Sequence, residues 1–154
     1  MKILGIDHVY TQDAPEPGAY SQGVLYDPSW DKLLFIAGQT GNDPSLPDQP
    51  VVVGGVGPQT TQALKNIDAV LKSVGADFRR LVSVDVFLKD SGDTITRQND
   101  WRQYNEAYKK FFAEHGVTDN KFMPARMQVW VADVPWAIED TLVEIRAVAA
   151  ISRA

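Results

Sequence analysis

An α+β fold, with two helices on one face of a mixed sheet, is what this 154-residue sequence predicts. Two stretches repeat apolar residues at three- and four-residue spacing and each ends at a glycine. Shorter stretches alternate or run apolar as strands do, and the order along the chain is β-β-β-α-β-α-β-β. Helices that follow single strands, with strand pairs at both ends, leave one sheet face without helices. That face needs cover, and self-association would supply it, so an oligomer is expected.

The elements follow in order. "MKILGIDHVY" supplies the first strand and "SQGVLYD" the second, with "DPSWD" (27–31) reading as the hairpin turn into the third, "DKLLFIAGQ". The third is apolar through Leu33–Ala37, which predicts burial on both faces. Residues 41–57, "GNDPSLPDQPVVVGGVG", carry three prolines and four glycines and read as a surface loop around a short edge strand at Val51–Val53. The first helix has Pro58 in its first turn, then Ala63, Leu64, Ile67, Val70, Leu71 and Val74, and stops at Gly75. "LVSVDVFLKD" alternates as a strand. A second helix from about Thr94 to His115 carries Trp101, Tyr104, Tyr108 and Phe111 on one stripe and stops at Gly116. Two last strands, near Arg126–Val131 and Leu142–Ala150, predict a hairpin around "DVPWAIED".

The length suits one domain spanning residues 1–154, without repeats or low-complexity segments. A composition 44% hydrophobic and 23% charged is that of a globular protein. A formal net charge of −5 argues against a surface built to neutralise phosphates, and "FRR" and "YKK" read as solvated faces. The sequence has no cysteine, which rules out disulfides, thiolate metal sites and a cysteine nucleophile. Asp7 and His8 stand where a signal peptide would have its apolar run, and no stretch approaches membrane-spanning length, so a cytoplasmic location is expected.

His8 and His115 are the only histidines and neither has a partner at ligand spacing, so no metal is expected. His115 reads as a favourable cation at a helix C-terminus. G-x-S-x-G, P-loop and G-x-G-x-x-G motifs do not occur. "VGGVG" (53–57) precedes a helix, but without the strand–turn–helix context of a phosphate site.

What remains are polar residues in apolar surroundings: Arg126, Glu144, Asn105, Tyr20 and Gln128. Arg126, Gln128 and Trp130 share one face of their strand, and Leu142, Glu144 and Arg146 share one face of theirs. In a hairpin, one register pairs Arg126 with Glu144; a slip by two sets Gln128 opposite Glu144 and the two arginines opposite each other. Two readings stay open on pattern alone. One is an exposed cross-strand ion pair worth less than about 1 kcal/mol. The other is an arginine whose planar fork binds a carboxylate, beside a glutamate that orients water.

Seven segments occur in a recognisable order: "APEPGAYSQG", "LLFIAGQTG", "QTTQALKNIDAVLKSVGA", "VFLKD", "NEAYKKFF", "PAR" and "VEIRAVA". Together they resemble the RidA family, also called YjgF, over nearly the whole chain. The resemblance implies a chorismate-mutase-like homotrimer with active sites in clefts between subunits. It implies hydrolysis of reactive 2-imino or 2-enamino acids to 2-oxo acids and ammonia, with no metal or cofactor. It assigns carboxylate binding to Arg126, water orientation to Glu144, and pocket positions to Tyr20, Asn105 and the backbone of Gly38. Alternatives are a non-catalytic metabolite-binding trimer and, more remotely, a ribonuclease. Small-molecule substrates, and neither nucleic acid nor membrane, are the expected partners.

The departures from the family pattern sit around the site. Ala37 replaces a common serine, Gln128 a common cysteine, and Arg146 a common acid. The connection between Arg126 and Glu144 is longer than in compact members and carries Trp136. Gln128 and Trp130, with Arg146 a further candidate, point to a larger or more polar substrate than the smallest imino acids.

Overall fold

The computed structural model describes residues 5–13, 19–27, 29, 31–135 and 140–152. Two strands, β1 (Ile6–Val9) and β2 (Gly23–Tyr26), form a separate antiparallel pair. They are followed by β3 (Asp31–Thr40), α1 (Val56–Ser73), β4 (Leu81–Lys89), α2 (Thr94–Glu114), β5 (Ala125–Val131) and β6 (Val143–Ser152). The element order is the expected one, as is the mixed sheet. Its strands lie in the order β3-β6-β4-β5, with β4 and β5 parallel and the other neighbours antiparallel.

Both helices form where the sequence supports them. In α1 the buried side chains Ala63, Leu64, Ile67 and Leu71 make one stripe, and Gly75 at φ 74° turns the chain out of the helix. The Asp93 carboxylate caps α2 by accepting from the Thr96 amide at 2.9 Å. Tyr104, Tyr108, Phe111 and Phe112 are the buried face of α2, and Phe78 packs tilted against Phe111 and edge-on to Phe112 at centroid distances of 5.0 and 4.9 Å. Beneath them lie Val84, Val86 and Leu88 of β4 and Val143, Ile145, Ala147 and Ala149 of β6, all buried. His115 caps the C-terminal end of α2, its Nδ1 2.8 Å from the Phe111 carbonyl.

Three expectations for the N-terminal part of the chain are corrected. β2 and β3 do not form a hairpin: β2 pairs with β1 and β3 with β6. Around Asp27 there is a local turn, its carboxylate accepting from the Ser29 amide at 2.9 Å. β3 is not buried on both faces. Ile36 is buried, but Phe35 on the other side is 74% exposed and Leu33 is exposed too. Val51–Val53 is not a strand; only an isolated bridge joins Val51 to Asn42.

The largest correction concerns the C-terminal strands. β5 and β6 are not neighbours, because β4 lies between them. Both described ends of the connection lie at the end of β4, where the Asp90 amide donates to the Val131 carbonyl at 2.8 Å and the Lys89 amide to the Leu142 carbonyl at 2.9 Å. Residues 140–142 are tied down by the buried Gln59. Its amide donates to the Asp140 carbonyl at 2.6 Å and accepts from the Leu142 amide at 2.8 Å. Trp136 lies outside the described residues. No helix among the described residues is long and apolar enough to cross a membrane.

Candidate active site

Pairing decides which face each candidate side chain occupies. Arg126 lies opposite Val84, Gln128 opposite Val86 and Trp130 opposite Leu88, and these three β4 residues are buried beneath the helices. Arg126, Gln128 and Trp130 therefore leave β5 on the helix side. Glu144 lies opposite Phe87 and Thr40, and Arg146 opposite Asp85, so both point from the open face. Within one chain Arg126 and Glu144 are on opposite sides of the sheet. On regular strand spacing their Cα atoms are about 14 Å apart, three residues along and two strands across. Neither expected register exists, and no Arg126–Glu144 pair forms within the chain. Arg146 is bound to Asp85 instead, Nη2 to Oδ2 at 2.5 Å, and is absent from the Arg126 cavity.

Arg126 is held rather than free. Its Nη1 donates to Asn105 Oδ1 at 3.0 Å, and Asn105 Nδ2 donates to the Trp101 carbonyl at 2.8 Å. Both ends of that amide are used, so Asn105 orients the arginine. Three rings surround the guanidinium carbon, Tyr108 at 4.9 Å and Tyr20 and Tyr104 at 5.4 Å. Cation–π contacts of this kind are worth up to about 2 kcal/mol each where water is excluded. Burial pushes the phenols of Tyr104 and Tyr108 well above their ordinary range, so both are neutral; the Arg126 charge offsets part of the rise.

Tyr20 reaches the site because its segment is clamped to the start of β5. The Ser21 amide donates to the Pro124 carbonyl at 3.3 Å and the Ser21 hydroxyl to the Met123 carbonyl at 2.5 Å. Ala19 and Ser21 are buried on either side, which turns Tyr20 toward the cavity. That cavity, 390 Å³, is lined by Ala19, Tyr20, Trp101, Asn105, Lys109 and Arg126 among others. A neighbouring one of 270 Å³ is lined by Tyr20, Trp101, Arg126, Gln128 and Trp130.

Gln128 is unusual. Both its amide atoms are shielded from solvent, and neither has a hydrogen-bond partner among the described residues. Leaving a buried polar group unmade costs about 1–3 kcal/mol. Gln128→Met keeps the length and removes both polar atoms. It is expected to raise the thermal unfolding midpoint, by the equivalent of at least about 1 kcal/mol; calorimetry checks this, and an unchanged or lower midpoint contradicts it.

Glu144 has its own local device. A bulge interrupts β3 between Ile36 and Gln39, and the Glu144 side chain lies against Gly38. A Cβ at position 38 would stand 1.9 Å from Glu144 Oε1 and 2.7 Å from its Cδ. Only glycine lets the carboxylate lie over that backbone.

The structure thus gathers Arg126, Tyr20, Asn105, Gln128 and Trp130 around one cavity, and sets Glu144 and Gly38 together elsewhere. Sequence reading took Tyr104 and Tyr108 for core alone. Tyr108 stands three residues after Asn105 and four after Tyr104, which is the signal that they share a face with a polar residue.

The family model described as Endoribonuclease L-PSP matches residues 11–151. The human 2-iminobutanoate/2-iminopropanoate deaminase is 38% identical over 139 residues, 88% of this chain and 85% of that protein. The rat protein of the same name is 37% identical over 142 residues, 92% of this chain and 87% of its own. Among solved structures, E. coli TdcF with bound serine has a TM-score of 0.64 at 31% identity, covering 95% of this chain and 99% of its own.

Proposed function

The chain belongs to the Endoribonuclease L-PSP family, the RidA/YjgF group, and on that premise we propose that it hydrolyses 2-imino and 2-enamino acids to 2-oxo acids and ammonia. The observation that carries the reading is the caged Arg126. It is a fixed cation with no described carboxylate within ion-pairing distance, at the wall of a cavity large enough for an amino-acid-sized molecule. The serine bound to TdcF is a molecule of that class, and the deaminase names of the human and rat relatives give the reaction.

The chemistry is an addition and an elimination. Arg126 takes the substrate carboxylate, which fixes the adjacent imine carbon, so that much of the rate comes from orientation. Glu144 accepts a proton from water as the water oxygen bonds to that carbon and the carbon–nitrogen π pair moves to nitrogen, which then takes the proton from Glu144. The hydroxyl proton passes to nitrogen by way of the same carboxylate, the oxygen pair forms the carbonyl as the remaining carbon–nitrogen bond breaks, and ammonia leaves the 2-oxo acid. Tyr20 closes the pocket wall beside the imine nitrogen. The residues themselves carry each of these steps, and the proposal calls for no cofactor.

Arg126 and Glu144 cannot meet on one small molecule within a single chain, so the proposal requires a second copy. In a homotrimer the Glu144–Gly38 edge of one subunit faces the Arg126 cavity of the next. The uncovered apolar face bearing Phe35, Leu33 and Met127 is the surface such an assembly would bury.

Gly38→Ala tests the placement of Glu144. The variant is expected to fold, because only a movable side chain is in the way. Displacing the carboxylate by an ångström or more lowers kcat by about 10²-fold. Steady-state kinetics beside a thermal melt checks it, and an unimpaired kcat would sink the role given to this backbone. Metabolite binding without catalysis is the alternative, and a second anion near a bound carboxylate counts against it. The ribonuclease reading rests on the family's description; the net charge of −5 speaks against it.

The direct experiment generates an imino acid in situ and follows its decay with the protein and with Arg126→Ala. Faster decay with wild type alone supports the reading; equal decay with both overturns it.

A further inference from the structure

Arg126 accounts for a carboxylate, but not for the two indoles beside it. Trp101 is 49% exposed and Trp130 39% exposed, an unusual cost for such large apolar groups. Both line the 270 Å³ cavity with Arg126, and both also line an adjoining cavity of 220 Å³ with Thr94, Arg97 and Gln98. The two spaces thus share both tryptophans as walls. The adjoining one holds no unpaired charge: Arg97 is engaged by Asp90, at 2.6 Å from Nε and 2.8 Å from Nη2.

Resting on the imine-hydrolase reading above, we propose that this adjoining chamber is the side-chain subsite. It selects 2-imino acids with a planar aromatic side chain, held between Trp101 and Trp130. Arg126 and Trp130 lie on the same strand face two pleats apart, about 13 Å between Cα atoms. A substrate anchored by its carboxylate at Arg126 reaches the tryptophans with an arylmethyl group. A one- or two-carbon tail stops short, beside Gln128. Asn105, which orients the arginine, also donates to the main-chain carbonyl of Trp101 one turn earlier on α2, so the residue that holds the anchor and one aromatic wall share a helix. The upstream reaction class would be one that oxidises an aromatic amino acid at its amine-bearing carbon, giving the imine directly.

The test compares imines made in situ by a flavin amino-acid oxidase from phenylalanine and from 2-aminobutyrate, with the remaining imine trapped by semicarbazide. The expected result is a kcat/KM at least about tenfold higher for the aromatic imine. The ratio of the two should collapse toward one in Trp101→Ala/Trp130→Ala. Equal or faster turnover of the aliphatic imine by wild type overturns the subsite. So does an unchanged ratio in the double variant, or a double variant of smaller assembly size, which would make the indoles subunit contacts. Binding of 3-phenylpropanoate against butanoate, read by tryptophan fluorescence of the wild-type protein, is independent of catalysis and of the variant's folding. At least tenfold tighter binding of the aromatic acid is expected, and equal affinities overturn the subsite. If no imine of either kind decays faster than in buffer, the hydrolase reading fails. The binding comparison then decides the chamber alone.

Discussion

Arg126→Ala lowers kcat/KM for imine hydrolysis by about 10²–10⁴-fold, the equivalent of the roughly 3–5 kcal/mol lost when one member of a desolvated, hydrogen-bonded charge pair is removed. The loss falls mainly on substrate affinity, because the arginine grips a carboxylate that is unchanged through the reaction. Arg126→Lys recovers little. The ammonium keeps the charge but lacks the planar fork that Asn105 and the rings of Tyr20, Tyr104 and Tyr108 hold in place. The check is steady-state kinetics on both variants, with circular dichroism to establish folding. A kcat/KM within threefold of wild type for Arg126→Ala would remove the carboxylate site from the account.

Glu144→Gln has the complementary signature. The amide keeps the shape over Gly38 but cannot accept the water's proton, so kcat falls by about 10²–10⁴-fold. Binding of an unreactive carboxylate such as butanoate changes by no more than a few fold, because Arg126 is untouched. The pair of variants separates enzyme from binder: a non-catalytic trimer would lose binding with the first and nothing with the second. Retained kcat in Glu144→Gln would move the reading to that alternative.

The fold was legible in the sequence because its signals are local. Leu64, Ile67 and Leu71 mark a helix face, and Val84, Val86 and Leu88 mark a strand face, without reference to any other segment. Strand neighbours are not local. Alternation in β5 and β6 gives the parity of Arg126 and of Glu144, but not that β4 lies between them. Consecutive strands are most often adjacent, and the hairpin expectation followed that tendency. The exposure of Phe35 has the same origin, since an apolar run reads alike whether helices or another subunit cover it. Arg126, Tyr20 and Asn105 were recognisable as candidates from the ordered motifs. Their mutual geometry depends on the Ser21 clamp to Met123 and Pro124, which joins segments a hundred residues apart and leaves no periodic trace.

The central claim is that Arg126 and Glu144 act on one substrate from different subunits. Arg126→Ala and Glu144→Gln proteins, each inactive alone, can be co-expressed with different tags and the mixed assemblies purified on both. A homotrimer with shared clefts predicts recovery to about one third of the wild-type rate, because every mixed trimer, whether two-to-one or one-to-two, has one cleft of its three with both an intact arginine and an intact glutamate. If the mixed assemblies stay as inactive as the parents, the two residues do not meet across subunits, and the proposed mechanism is wrong.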